Sequence, residues 1–259
     1  MYTQPFSYLN LFFVLKDYTM AAPTRMKLNM MDLTGDSSSF EQYLKSFSTN
    51  NKSLIKISIA GPEYDAMCMG EYEDEDEDDE PECVPEHRVK TIFGEILALP
   101  ALREIVIDPG YYSGDGESML NTSRVCWLLS SKKCKVETLK IRDLEVDSDS
   151  DVEELALALK GCPSIKALCI EQILVGYRDV KTLLPLMEVI AQLPNLTKLH
   201  LVIDAYGNSE ASVRYASESL PVLKTGRGLG NVQLGMPMNE LSIPNHPVLS
   251  NCNDLSAFI

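Results

Sequence analysis

Asp147, Asp149 and Asp151 in EVDSDSDVEE alternate along the chain as the first ligands of a calcium loop do. Such a loop needs glycine at its sixth place and glutamate at its twelfth, where this chain has Val152 and Ala158. The stretch is therefore expected to be an acidic, serine-rich turn whose carboxylates sit at the start of the next helix. Gly226, Gly228 and Gly230 begin a phosphate-loop spelling, but no strand is expected before them and Gln233 follows. A flexible insertion is expected there, and no dinucleotide site. His87, His200 and His246 have no cysteine or carboxylate at ligand spacing. Cys68, Cys83, Cys126, Cys134, Cys162, Cys169 and Cys252 are odd in number and form no tight pairing motif. Cys126 in VCWLL and Cys162 in KGCP stand where a small buried apolar side chain is wanted, which is reduced, intracellular usage. A Cys–His catalytic pair would meet only in space, and no local signature announces one. A hydrolase nucleophile motif is missing as well. No catalytic residue, cofactor or metal is expected.

Charge is unevenly placed. The chain has 23 basic and 38 acidic residues, a formal charge of −15. Ten of those carboxylates lie in EYEDEDEDDEPE, Glu71 to Glu82, and without that run the balance is −5. So dense a run of like charge cannot pack, and a solvated, disordered loop is the first expectation. Docking to a basic partner is the functional alternative. The apolar run FSYLNLFFVL at residues 6–15 is too short to span a membrane, which takes about 20 apolar residues. No lysine or arginine precedes it, as a signal peptide would require, so a cap on the first repeat or translation from Met20 is preferred. The sequons at Asn51, Asn121 and Asn195 are poor glycan sites, Asn51 and Asn195 because they lie at strand entries.

The elements that must position these residues are announced by self-similarity. PALREIVI from Pro100, PSIKALCI from Pro163 and PNLTKLHL from Pro194 share the phrase Pro-x-Φ-x-x-Φ-x-Φ, with Φ an aliphatic residue. KVETLKI from Lys135 and KSLIKISI from Lys52 fit without the proline, and PMNELSI from Pro237 is a weaker copy. Each of the three proline copies follows an apolar helical run. Val89, Ile92, Phe93, Ile96 and Leu97 make one such stripe; Val152, Leu155, Ala156 and Leu159 a second; Leu186, Val189, Ile190 and Leu193 a third. Ser150 with Glu153 predicts a capping box, Gly161 a helix stop and Pro185 a first helical residue. Shorter helices are expected at residues 122–133, around Phe40 to Phe47, and at 210–220, and Trp127 is expected in the core. Repetition at this period predicts a helix-then-strand solenoid. Strands should begin near Leu54, Leu102, Val136, Ile165 and Leu196, with a last one near Met238. An open doubly wound sheet also alternates strands and helices but has no reason to repeat the phrase.

LREIVI, VETLKI, IKALCI and LTKLHL resemble the L-x-x-L-x-L half of the leucine-rich repeat motif, in its ribonuclease-inhibitor-like branch. The family's Asn or Cys three residues further on is replaced by Gly110, Leu144, Ile173 and Asp204. The resemblance implies an α/β leucine-rich-repeat solenoid, a horseshoe with a parallel concave sheet and convex helices. It divides the chain into an N-terminal extension or cap at 1–37, irregular repeats at 38–204 interrupted by the acidic loop at 71–82, and a degenerate repeat and tail at 205–259. It also implies a non-enzymatic scaffold that binds a protein partner through the concave sheet and its loops, cytoplasmic or nuclear, monomeric, and engaging neither nucleic acid nor membrane. The alternative is a regulatory adaptor: a ubiquitin-ligase substrate receptor, or a GTPase activator using Arg103, Arg124, Arg142 or Arg178.

Alternation turns Ile105, Ile107, Leu139, Ile141, Leu168, Ile170, Leu199 and Leu201 inward. Glu104, Asp108, Lys140, Arg142, Lys198 and His200 then share the open face and are the candidate partner-binding residues. The basic four suggest a groove for an acidic segment.

Overall fold

The computed structural model describes residues 24–33, 37–61, 84–109, 120–130, 134–176, 180–206, 208–226, 228–229 and 231–235. The acidic run Glu71 to Glu82, the weak copy at Pro237, His246 and Arg178 lie outside them.

Seven strands alternate with six helices: β1 Arg25–Asn29, α1 Ser37–Asn50, β2 Lys56–Ala60, α2 Glu86–Ala98, β3 Glu104–Asp108, α3 Thr122–Leu129, β4 Thr138–Val146, α4 Asp149–Lys160, β5 Ala167–Val175, α5 Leu184–Gln192, β6 Lys198–Asp204, α6 Ser209–Leu223 and β7 Asn231–Gly235. The strands form one all-parallel sheet in the order β1 to β7. The order never reverses, so the sheet has no switch point and is not doubly wound. Right-handed crossovers running always in one direction put every helix on the same face. Successive helices there touch one another, α1 to α2 through α5 to α6.

The repeated phrase explains each strand. Its first aliphatic residue lies two residues before the strand and is buried in the turn: Leu54, Leu102, Val136, Ile165 and Leu196 are all at most 3% exposed. The next two point into the helix layer, where Ile57, Ile59, Ile105, Ile107, Leu139, Ile141, Leu168, Ile170, Leu199 and Leu201 are buried. At each step one carbonyl accepts two N–H groups from the next repeat. Thr24 O takes Ile55 and Lys56, Ile55 O takes Arg103 and Glu104, Arg103 O takes Glu137 and Thr138, Glu137 O takes Lys166 and Ala167, and Lys166 O takes Thr197 and Lys198, at 2.7–3.1 Å. The same bond recurring five times makes the repeats equivalent in structure as well as in sequence.

The sheet includes two strands that the sequence reading did not place. Arg25–Asn29, assigned above to an extension or cap, pairs with β2 in the register Met26 to Ile57 and Leu28 to Ile59. Asn231–Gly235, assigned to a flexible insertion, pairs with β6 in the register Leu199 to Val232 and Leu201 to Leu234. LGNVQL from Leu229 is thus a further Φ-x-x-Φ-x-Φ phrase, and the glycines before it are a tight turn. A Cβ on Gly228 would stand 2.7 Å from the Leu196 carbonyl oxygen. Register partners Arg25, Lys56, Glu104, Thr138, Ala167, Lys198 and Asn231 are then 31, 48, 34, 29, 31 and 33 residues apart. The one long interval contains the acidic run.

Two local expectations are corrected. The capping box on α4 is Ser148 with Asp151, not Ser150 with Glu153: Ser148 Oγ accepts from Asp151 N at 3.2 Å and Asp151 Oδ2 accepts from Ser148 N at 3.0 Å. The helix starts two residues earlier than a Ser150 cap would allow, and its first residue, Asp149, accepts from Lys181 N of the next repeat at 2.8 Å. Trp127 is only half-buried, at the rim of the helix layer, with Lys90 Nζ 4.2 Å from its ring centre.

Candidate interaction face

Facing away from the helices, the sheet presents side chains in rows set by register. Across the strand starts stand Arg25, Lys56, Glu104, Thr138, Ala167 and Lys198; one step along come Lys27, Ser58, Val106, Lys140, Cys169 and His200. No helix of the described residues covers this face. Five lysines and arginines, a histidine and one acid occupy these two rows, so the strand starts are basic.

The strand ends are acidic, and a defect in the alternation helps to make them so. In β4 the buried positions run Leu139, Ile141, Leu144, Val146, and in β5 Leu168, Ile170, Ile173, Val175, each slipping by one residue after the second. Arg142 and Asp143, and likewise Glu171 and Gln172, are therefore adjacent in sequence yet both off the core. β6 keeps strict alternation, so the pairing of β5 with β6 shifts between Ile170 and Ile173. Leu144 and Ile173 fill the place where the sequence comparison sought an asparagine, and both are buried. Strands β4 and β5 consequently run on instead of turning. Asp108, Asp143, Glu145, Glu171 and Asp204 gather at this end, with Arg142 the one base among the described strand residues there.

The candidate residues are brought together, but as a cross-strand network. Lys56 Nζ meets Glu104 Oε1 at 2.6 Å. Lys140 pairs with Glu171, while Arg142 bridges Asp108 Oδ2 at 2.5 Å and Glu171 Oε2 at 3.6 Å. Gln172 Nε2 donates to Asp204 Oδ2 at 2.6 Å, and the Tyr206 hydroxyl to Glu145. At the lead-in turns Glu137 lies between Lys166 at 2.8 Å and Arg103 at 3.7 Å, and the Lys166 hydrogen bond holds its carboxyl below the usual range. Burial raises Asp143, with Asp108 and Glu171 adding repulsion and Arg142 offsetting part of it. Lys198 is exposed and has no ion pair among the described residues. Lys140, Arg142, Lys198 and His200, expected to suit an acidic segment, thus lie on a face that also has an acidic pole.

His200 is the second correction. It lies on this face but is only 3% exposed, because β7, which the sequence reading did not place, makes β6 an interior strand. Its register neighbours are Cys169 and Gln233. Cys169 beside a histidine has the residue types of a thiol–imidazole pair. Burial, however, pushes that thiol up to about 11, so it stays protonated near neutrality and is no nucleophile. Arg103 and Arg142 are held by the carboxylates above, and Arg124 Nη2 donates to Val84 O at 3.4 Å; none is singled out as a projecting arginine.

Among the described residues no group of three or more His, Cys, Asp or Glu could hold a metal ion, and no helix is long and apolar enough to cross a membrane. The chain matches no protein-family model, no curated protein and no solved structure.

Proposed function

We propose that this protein is a non-enzymatic scaffold of the leucine-rich-repeat type, its sheet forming the inner face of a horseshoe that binds a protein partner. The observation that carries this reading is the segregation of charge on the helix-free face. Lys198 and Asp204 open and close β6, roughly 20 Å apart and beyond the Debye length at physiological salt. The two ends of the face therefore carry opposite fields, joined midway by the pairing of Lys140 and Arg142 with Glu171. A partner segment that fits has an acidic stretch next to a basic one, crossing the face along the strand direction.

The test is fluorescence anisotropy with two synthetic peptides of identical composition, one with its acidic and basic residues in separate blocks and one with them interleaved. Tighter binding of the block peptide is expected, weakening with added salt and lost in the double variant Lys140→Glu, Lys198→Glu. Equal binding of both peptides, or an unaffected double variant, would overturn the reading.

A further inference from the structure

Cys134 and Cys162 are 28 residues apart in sequence and do not look like a pair. Repeat stacking brings them together. Val136 and Ile165 are equivalent first aliphatic residues of neighbouring phrases, so Cys134 stands at the repeat's proline position and Cys162 one place before it, at the end of α4. Adjacent strands lie about 4.8 Å apart, and an offset of one residue leaves the two Cα atoms within the range of roughly 4.4–6.8 Å that a disulfide spans. The surrounding bonds fix this approach. Cys162 Sγ donates to Leu129 O at 3.0 Å, and Ser164 Oγ donates to Val136 O at 2.8 Å, with Cys134 O at 3.5 Å. Cys162 is fully buried, while Cys134, at 9% exposed, is the less buried of the two.

We propose that Cys134 and Cys162 are an oxidisable dithiol that closes a disulfide between the third and fourth helix–strand units when the protein meets a hydroperoxide. The Cys134 thiolate attacks the peroxide, the O–O bond breaks, and Cys134 becomes a sulfenic acid as the departing oxygen takes a proton. The Cys162 sulfur then attacks the Cys134 sulfur; the S–O bond breaks, the Cys162 proton leaves with the hydroxyl as water, and the S–S bond forms. Two thiols lose two electrons, and the peroxide is reduced to its hydroxylic products. The acidities of the two sulfurs divide in the direction this order needs: contact with the Cys162 sulfur, and with the Val136 backbone, lowers Cys134, and the same contact with burial raises Cys162. Cys126 and Cys169 are both raised by burial, to about 12 and about 11, so they should remain thiols under the same treatment.

The experiment treats the full chain with hydrogen peroxide, alkylates the remaining thiols and maps the peptides by mass spectrometry. A Cys134–Cys162 link should form before Cys126 or Cys169 is oxidised, with loss of the mass of two hydrogens, reversal by a thiol reductant and a raised unfolding temperature. In Cys162→Ser the reaction should stop at Cys134 sulfenic acid, trapped by dimedone, whereas in Cys134→Ser the buried Cys162 should stay unoxidised. Oxidation of Cys126 or Cys169 ahead of the pair, conversion of Cys134 to sulfinic acid without a link, or no dimedone adduct in Cys162→Ser would each overturn the proposal.

Discussion

His200 and Lys140 occupy the same row of the sheet face, yet truncating them should have different costs. His200 is buried, and its removal leaves an interior gap; His200→Ala should destabilise by about 1–3 kcal/mol. Lys140 is a third exposed and its partner Glu171 keeps Arg142 at 3.6 Å, so Lys140→Ala should cost less than about 1 kcal/mol. Urea unfolding of the two variants compares them directly, and equal costs would place His200 on an open surface. Asp149 and Glu137 make the corresponding pH prediction. The Lys181 backbone N–H lowers Asp149 and the Lys166 ammonium lowers Glu137. An acid held low in the folded state contributes stability that is complete above its ordinary value, about 4, and is lost as pH falls through the lowered value. Asp149→Asn with Glu137→Gln should therefore flatten the fall of the unfolding temperature between about pH 5 and pH 2; an unchanged slope would remove both carboxylates from that role. Alternation alone made Glu104, Asp108, Lys140, Arg142 and Lys198 legible as face residues. Their partners were not, since a cross-strand neighbour is defined only once register is known, and the slips after Ile141 and Ile170 leave no mark on the apolar pattern beyond a spacing of three.

Among the elements, the connections decide whether a repeat phrase becomes a strand. Ser148 closes a reciprocal box at the start of α4, and Ser148→Ala should cost about 1 kcal/mol, whereas Ser150→Ala should be nearly neutral. Gly228 lies against the Leu196 carbonyl with no room for a methyl group. Gly228→Ala should cost about 1–3 kcal/mol and loosen β7, read as faster amide hydrogen exchange at Val232 and Leu234 than in the parent. Unchanged exchange there would mean that the turn does not hold the strand. The five inner strands were legible because proline or lysine opens an intact phrase after a helical stripe. β7 was missed although LGNVQL has the full pattern, since a glycine-rich stretch reads as a linker, whereas Gly226 and Gly228 allow close approach to the preceding repeat. β1 was missed for a different reason: RMKLN offers only Met26 and Leu28 to the core, too few residues to set a period.

For the whole molecule, one core runs through every repeat, from Leu28 in β1 to Leu234 in β7. Leu168 lies at its centre, and Leu168→Ala should destabilise by about 2–5 kcal/mol, more than changes at exposed residues of the opposite face such as Lys140. The helix-then-strand order, the single parallel sheet and its sequential topology follow from the repetition, and they separate an apolar, helix-covered face from a polar one. The two poles of that polar face emerge only at this scale, because each row collects one residue from each of several repeats. A spin label on the acidic end of the bound block peptide, with nuclear magnetic resonance detection of the protein's backbone amides, measures the orientation that the two poles impose. Broadening should concentrate at the strand starts, at Lys56, Glu104, Lys140 and Lys198. Broadening at Asp108, Glu171 and Asp204, or along the helices, would contradict a partner held by the charge pattern of the open sheet.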